Sequence, residues 1–409
     1  MIRSSYAFAA TALLWMTACA GAEDRRAAAD STRATANGGA TAHTTELTAL
    51  PVIDHVELMA REPMLVQARD GALYVSGYGE DHPLLWRSSD NGAHWERVNV
   101  GTPANGAVGN SDVDLAIGPD GTLYFVAMTY DRAKFEGRGI AVGSSRDDGA
   151  SWTWTSLSRD RYDDRPWIEV APNGVAHAIW NDGSGVSHAV STDRGLTWTE
   201  RTRIHPKGGS SHIAIAPTGT IAVRIVPLSA SANKFDAGVD SLAVSTDGGL
   251  SWSKRGLPGS RIWSAFDENA PMQRWVEPLS WDERGALYSL WSEGTSMWIA
   301  RSADNGASWT KRRIAHDSTE LYFPYLTARG NGELGMTWFS GLGDAVRANL
   351  AHLEYDVRAA DSVATPRVHR FDFPSFARGD TTTGPARRRD TAGEYIPIIF
   401  LRDGRVATV

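Results

Sequence analysis

The chain has 409 residues, 42% of them apolar, and a formal net charge of -7. That is ample for a packed core and suits one large all-β domain or two ordinary ones. The mild acidity excludes a nucleic-acid binder, which needs clustered Lys and Arg against phosphate. The run Arg387 to Arg389 sits in a polar loop and reads as solvated.

Residues 1–19 read as a lipoprotein-type signal peptide. Arg3 supplies the positive start, and Tyr6 to Trp15 supply an apolar stretch too short for a spanning helix. The stretch ends at Met16-Thr17-Ala18-Cys19, which resembles a bacterial lipobox with Cys19 as the lipidation site. An ordinary signal peptide cut nearby is the alternative. Cys19 is the only cysteine, so the mature domain has no disulfide and no Cys nucleophile or ligand. The expected location is the bacterial cell envelope, with membrane contact only through the anchor. Residues 20–49 are rich in Ala, Thr and Gly without a hydrophobic period and read as a flexible tether.

Residues 50–409 read as one repetitive domain. Five segments share a frame: RSSDNGAHW, SSRDDGASW, VSTDRGLTW, VSTDGGLSW and RSADNGASW. The frame is Ser-x-Asp-x-Gly-x-(Ser/Thr)-Trp, with His94 replacing the hydroxyl residue once. Its aspartates are Asp90, Asp147, Asp193, Asp247 and Asp304. Its closing tryptophans are separated by 57, 46, 54 and 57 residues. Each Asp can accept bonds from backbone N–H groups of its own turn, each Gly can take a positive φ, and each Trp can pack between repeats. These turns are therefore structural staples rather than catalytic groups.

A second repeat interleaves with the first. Alternating apolar runs surround a turn at Gly71, Gly121, Gly174, Gly219, Gly285, Gly332 and Gly404, as in LAIGPDGTLYFVAM. These are hairpins. A strand pair, a third strand ending in the Asp turn and a fourth strand, repeated every ~45–50 residues, make the blade of an all-β propeller. Seven hairpins predict seven four-stranded antiparallel blades, or six if one hairpin is an elaboration. The last hairpin needs outer strands from elsewhere, and Val52 to Leu58 is a candidate.

Propeller topology places a ligand site where first strands begin and second strands end, on the face away from the Asp turns. Arginines, carboxylates and aromatics gather there, a mixture suited to a sugar or another polar, acidic ligand. The Asp turns resemble the Asp boxes of the sialidase superfamily. The motif Arg61-Glu62-Pro63 resembles the family's Arg-Ile-Pro opener, and Tyr395 in EYIPIIFLRDG stands nine residues before Gly404, where the family's nucleophilic Tyr is found. Arg347 in VRANLAHLEY is similar to the third arginine of the family's carboxylate clamp. The middle arginine is open between Arg224 and Arg274. The resemblance further implies Asp81 as acid–base residue and Glu277 as the partner of Tyr395. It implies an exo-alpha-sialidase-like glycoside hydrolase without a cofactor, because a neutral Tyr can approach a carbon that carries a carboxylate. The alternative is a non-catalytic monomeric propeller that binds glycans or envelope proteins. No metal-ligand spacing and no Gly-x-Ser-x-Gly motif is present in the sequence.

Overall fold

The computed structural model describes residues 12–18, 47–49, 53–54, 61–79, 81–134, 136–226, 228–229, 234–235, 238–260, 262–263, 276–341, 347–354, 367–372 and 395–409. Cys19, most of the tether and Arg274 lie outside the described residues.

The chain builds six blades, each a sheet of four antiparallel strands; in five the strands are consecutive, and in blade 4 three short strands, Leu228–Ser229, Lys234–Phe235 and Gly238–Val239, come between the second and the third. Their inner strands are Arg61–Gln67, Ser111–Ile117, Asp164–Val170, Gly209–Ile215, Leu279–Trp281 and Leu321–Arg329. Each inner strand lies against the next. The C-terminal hairpin, Ile398–Phe400 with Val406–Thr408, closes the ring between blade 6 and blade 1. It is not a blade of four consecutive strands. Val406–Thr408 pairs with Ala12–Ala18, with Trp15 opposite Ala407. Of the expected donor, Val52 to Leu58, only Ile53–Asp54 lies among the described residues, and it pairs with Ala12–Ala18. The expectation of seven blades thus meets six, and a further sheet ordered Leu47–Ala49, Ala12–Ala18, Val406–Thr408, Ile398–Phe400 closes the ring.

Burial explains the sequence pattern. The second strands Leu73–Tyr78, Ala176–Asn181 and Ile221–Val226 are buried at every position. They sit between sheet neighbours and between adjacent blades, so both faces are apolar and alternation disappears. Each fully buried Leu, Ile or Val contributes roughly 1.5–3 kcal/mol. Fourth strands such as Ser253–Gly256 lie at the rim and are largely exposed.

The five Asp boxes fold alike. In the box of blade 4, Ser245 Oγ donates to Asp247 Oδ1 at 2.8 Å and accepts from Gly249 N at 2.8 Å. Ser251 N donates to Asp247 Oδ1 at 3.0 Å, and Ser251 Oγ to Oδ2 at 2.6 Å. Hydrogen bonds from Ser251 hold the Asp247 carboxyl at about 2; the same pattern, with His94, holds Asp90 at about 2. The box also grips the preceding blade: Trp252 packs edge-on to His188, with ring centroids 5.7 Å apart. Between Asp and Gly the backbone is left-handed, with φ 61° at Asn91 and 59° at Asn305, a conformation Asn tolerates well.

Candidate functional site

The inner strands open with a local irregularity. Arg61 pairs with Tyr78 and Met64 with Ser76, so Glu62-Pro63 holds one residue too many for its partner strand. The same bulge occurs between Asp164 and Trp167 and between Tyr322 and Tyr325. A one-residue shift also falls at Asp112 and at Ser211. Proline favours this, because it offers no N–H to the ladder: Glu62-Pro63, Arg165-Pro166 and Phe323-Pro324 sit at the bulges. The residue before each of these prolines has a positive φ: 52° at Glu62, 47° at Arg165 and 47° at Phe323. Left-handed backbone at a non-glycine residue costs about 1–3 kcal/mol and persists where the surroundings enforce it. A bulge of this kind re-aims a side chain, here towards the axis.

The residue nine places before each turn glycine therefore marks the axial end of its strand. Around the ring these residues are Glu62, Asp112, Arg165, Ser210, Val276, Phe323 and Tyr395. The arrangement is lopsided. Tyr395, Glu62, Asp112 and Arg165, all ionisable, occupy four consecutive places, whereas Ser210, Val276 and Phe323 on the other side carry no ionisable group.

Tyr395 is the centre of the polar arc. Its hydroxyl donates to Asp112 Oδ2 at 3.1 Å. Its ring joins three others, from three further places around the axis, in a closed edge-to-face circuit. Tyr395 meets Trp167 at 5.6 Å, Trp167 meets His212 at 5.3 Å, His212 meets Tyr325 at 6.3 Å, and Tyr325 returns to Tyr395 at 6.1 Å. Such pairs prefer this geometry because ring edges are positive and faces negative. Burial, then the charge of Asp112, pushes the Tyr395 phenol well above its usual value, while Arg165 pulls it down and Glu62 pushes it up. Glu62 and Arg165 thus lie close enough to act on the phenol. Burial lowers His212 to about 4, so its imidazole is neutral near pH 7. The phenol is therefore a proton donor in the free site, and Asp112 is positioned to accept.

Deeper along the axis, Asp114 Oδ2 accepts from Ile168 N at 2.9 Å, tying blade 2 to blade 3. Burial raises Asp114 to about 7, and burial with the charge of Asp114 raises Glu169 to about 8. Ser280 Oγ makes the equivalent tie from blade 5 to blade 6 by accepting from Ala328 N at 3.0 Å.

The other sequence-predicted residues are dispersed. Arg61 opens the inner strand of blade 1 opposite Tyr78. Arg224 and Glu277 come together, but with each other: Arg224 Nη2 contacts Glu277 Oε2 and lies 3.0 Å from Asp240 Oδ2, and all three side chains are 0% exposed. Asp81 is exposed on the rim, against His82 Nδ1. Arg347 is exposed at the start of the third strand of blade 6, opposite Ser340. The five Asp-box aspartates lie at the opposite end of the blades, as their place between third and fourth strands requires. Asp112 was missed by sequence reasoning. Its signal was the shared offset of nine from a turn glycine, which it has in common with Tyr395. Among the described residues, no group of three or more His, Cys, Asp or Glu stands ready to hold a metal ion.

No protein-family model matches the chain, and no curated protein matches it. Similar solved structures include a Hadza microbial sialidase, 16% identical over 72% of this chain and 69% of the other, with a TM-score of 0.44. A polysaccharide lyase, an ulvan lyase, is 12% identical over 76% of this chain and 86% of its own, at a TM-score of 0.49. The alpha-L-arabinofuranosidase of Fusarium graminearum is 12% identical over 84% of this chain and 85% of its own, at 0.43.

Proposed function

We propose that this propeller is a retaining, sialidase-like glycoside hydrolase in which Tyr395 is the nucleophile and Asp112 the carboxylate that takes its proton. The observation that carries the reading is the 3.1 Å hydrogen bond from the Tyr395 hydroxyl to Asp112 at the axial end. A nucleophile with a base in hydrogen-bond reach is the minimal covalent-catalysis pair. Burial keeps the phenol protonated in the free site, so proton transfer to Asp112 accompanies attack on the anomeric carbon rather than preceding it. The new bond joins Tyr Oη to that carbon, and the bond to the leaving oxygen breaks with its electron pair. A neutral phenol suits a carbon bearing a carboxylate, which would repel an anionic nucleophile. Arg165, whose charge pulls the phenol down, supplies the positive charge that such a carboxylate needs.

The test is release from a fluorogenic α-sialoside by purified protein. Tyr395→Phe should abolish release, and Asp112→Asn should lower it by about 10²–10⁴-fold. A wild type that releases nothing where a control sialidase works, or a Tyr395→Phe variant as active as wild type, would refute the reading.

A second reading is a glycan-binding propeller without catalysis. It is favoured by the burial of Tyr395, which is only 5% exposed and wedged between aromatic rings. Saturable binding of the sialoside without release of the fluorophore would select it.

A further inference from the structure

The Tyr395–Asp112 pair accounts for one proton. Cleavage of a glycoside needs a second group, placed to give a proton to the departing oxygen. We propose that Glu62 is this acid–base residue; the inference rests on the reading of Tyr395 and Asp112 as nucleophile and base.

Four features of Glu62 lead there. It stands nine residues before Gly71, the offset that Tyr395 has from Gly404 and Asp112 from Gly121, so all three open inner strands at the same end of the axis. Its strand, Arg61–Gln67, lies between the strands that carry the other two. Its backbone is held at φ 52° in a bulge ahead of Pro63, a conformation that a non-glycine residue keeps only under constraint and that turns the side chain away from the ladder. The residue is half-buried, with Oε2 turned inward from solvent, and its charge pushes the Tyr395 phenol up. The other acidic candidates fail on place. Asp81 is 74% exposed beside His82, and Glu277 is 0% exposed against Arg224.

The steps balance. In the first, the Glu62 carboxyl gives its proton to the glycosidic oxygen as the carbon–oxygen bond breaks, and Asp112 receives the phenolic proton as Tyr395 bonds to the anomeric carbon. In the second, the Glu62 carboxylate takes a proton from a water whose oxygen attacks that carbon. The bond to Tyr395 breaks, and the phenol recovers its proton from Asp112. Glu62 and Asp112 end as they began, and one water is consumed per glycoside.

The experiment compares Glu62→Gln with wild type, in the full chain, on two substrates of the same sugar. In one the leaving group is a nitrophenol, which departs without protonation; in the other it is a second sugar, which does not. The expected result is a loss in kcat/KM, which reports the first step, of about 10²–10⁴-fold on the disaccharide and less than about tenfold on the nitrophenyl glycoside, with the alkaline limb of the pH–rate profile gone and kcat on the nitrophenyl glycoside lowered because the second step lacks its base. Glu62→Gly is the second variant. It relieves the left-handed backbone, so it folds, and added azide should restore its turnover of the nitrophenyl substrate by replacing the base-assisted water.

Equal losses on both substrates, or no loss on the disaccharide, would overturn the assignment. A wild type inactive on both substrates would overturn it together with the nucleophile. A leaving-group-selective loss in Glu62→Gln beside an unaffected Tyr395→Phe would remove the nucleophile and leave the acid in place.

Discussion

Replacing Arg224 by Met tests whether its guanidinium serves the fold or a ligand. The side chain joins three pieces of structure: the second strand of blade 4, Asp240 ahead of the third, and Glu277 ahead of the inner strand of blade 5. All three side chains are 0% exposed, so neither solvent nor salt can replace the lost charge. Removing one partner of a buried ion pair costs about 3–5 kcal/mol, because the remaining charges stay buried and uncompensated. A chain of this size has an unfolding entropy of roughly 0.9 kcal/mol/K, which converts that loss to a fall in Tm of about 3–6 °C. Tryptophan fluorescence in a denaturant series reports it directly, given 16 Trp residues in the chain. Adding Asp240→Asn and Glu277→Gln to Arg224→Met should recover much of the stability, since neutral partners remove the stranded charge. An Arg224→Met variant as stable as wild type, with a raised KM on the sialoside, would refute the structural role and return Arg224 to the substrate.

Two neighbouring glycines of one Asp box should differ sharply. Gly249→Ala meets φ 84° and places its Cβ 2.2 Å from His188 Cε1. It should lose about 2–4 kcal/mol by strain and overpacking. Gly248→Ala meets φ 72° with nothing within 4 Å, and should lose only about 1 kcal/mol. Equal losses in urea melts would refute the close approach of box and preceding blade. Acid stability should follow the stacked pair His177 and His188. Burial lowers them to about 4 and about 3, below the ordinary 6.5. Their contribution is complete above pH 6.5 and is lost as the pH falls towards 4. A His177→Gln, His188→Gln double variant should flatten that limb of the urea midpoint against pH; an unchanged slope would refute the assignment. Asp114 and Glu169 act in the opposite sense. Their raised values mean that stability is complete below the ordinary carboxylate range and is lost as the pH rises through about 7 and 8.

The fold was legible because its determinants are local. A box such as Ser88-x-Asp90-x-Gly92 closes on itself: Ser88 Oγ donates to Asp90 Oδ1 at 2.9 Å, and Gly92 N donates to Ser88 Oγ at 2.8 Å. Five copies, with hairpin glycines between them, specify blades whatever the rest of the chain does. The count of blades was less secure, because the closing hairpin takes its next strand from Ala12–Ala18, a partner that no local pattern announces.

The site divides along the same line. The offset of nine residues from a turn glycine puts Tyr395 at the axial end of its strand pair, and the hairpin order puts the Asp boxes at the other end. The sequence also presented Arg224 and Glu277 as free charges, because nothing in their neighbourhoods shows that they neutralise one another. Packing of the closed ring buries them together, leaves Asp81 exposed on the rim, and pairs Tyr395 with Asp112. That last contact joins residues 283 positions apart. It exists because ring closure lays the final hairpin beside the first blades. A strand's own residues fix its hydrogen bonds and its turn, but the identity of its neighbour across the axis is a property of the closed ring.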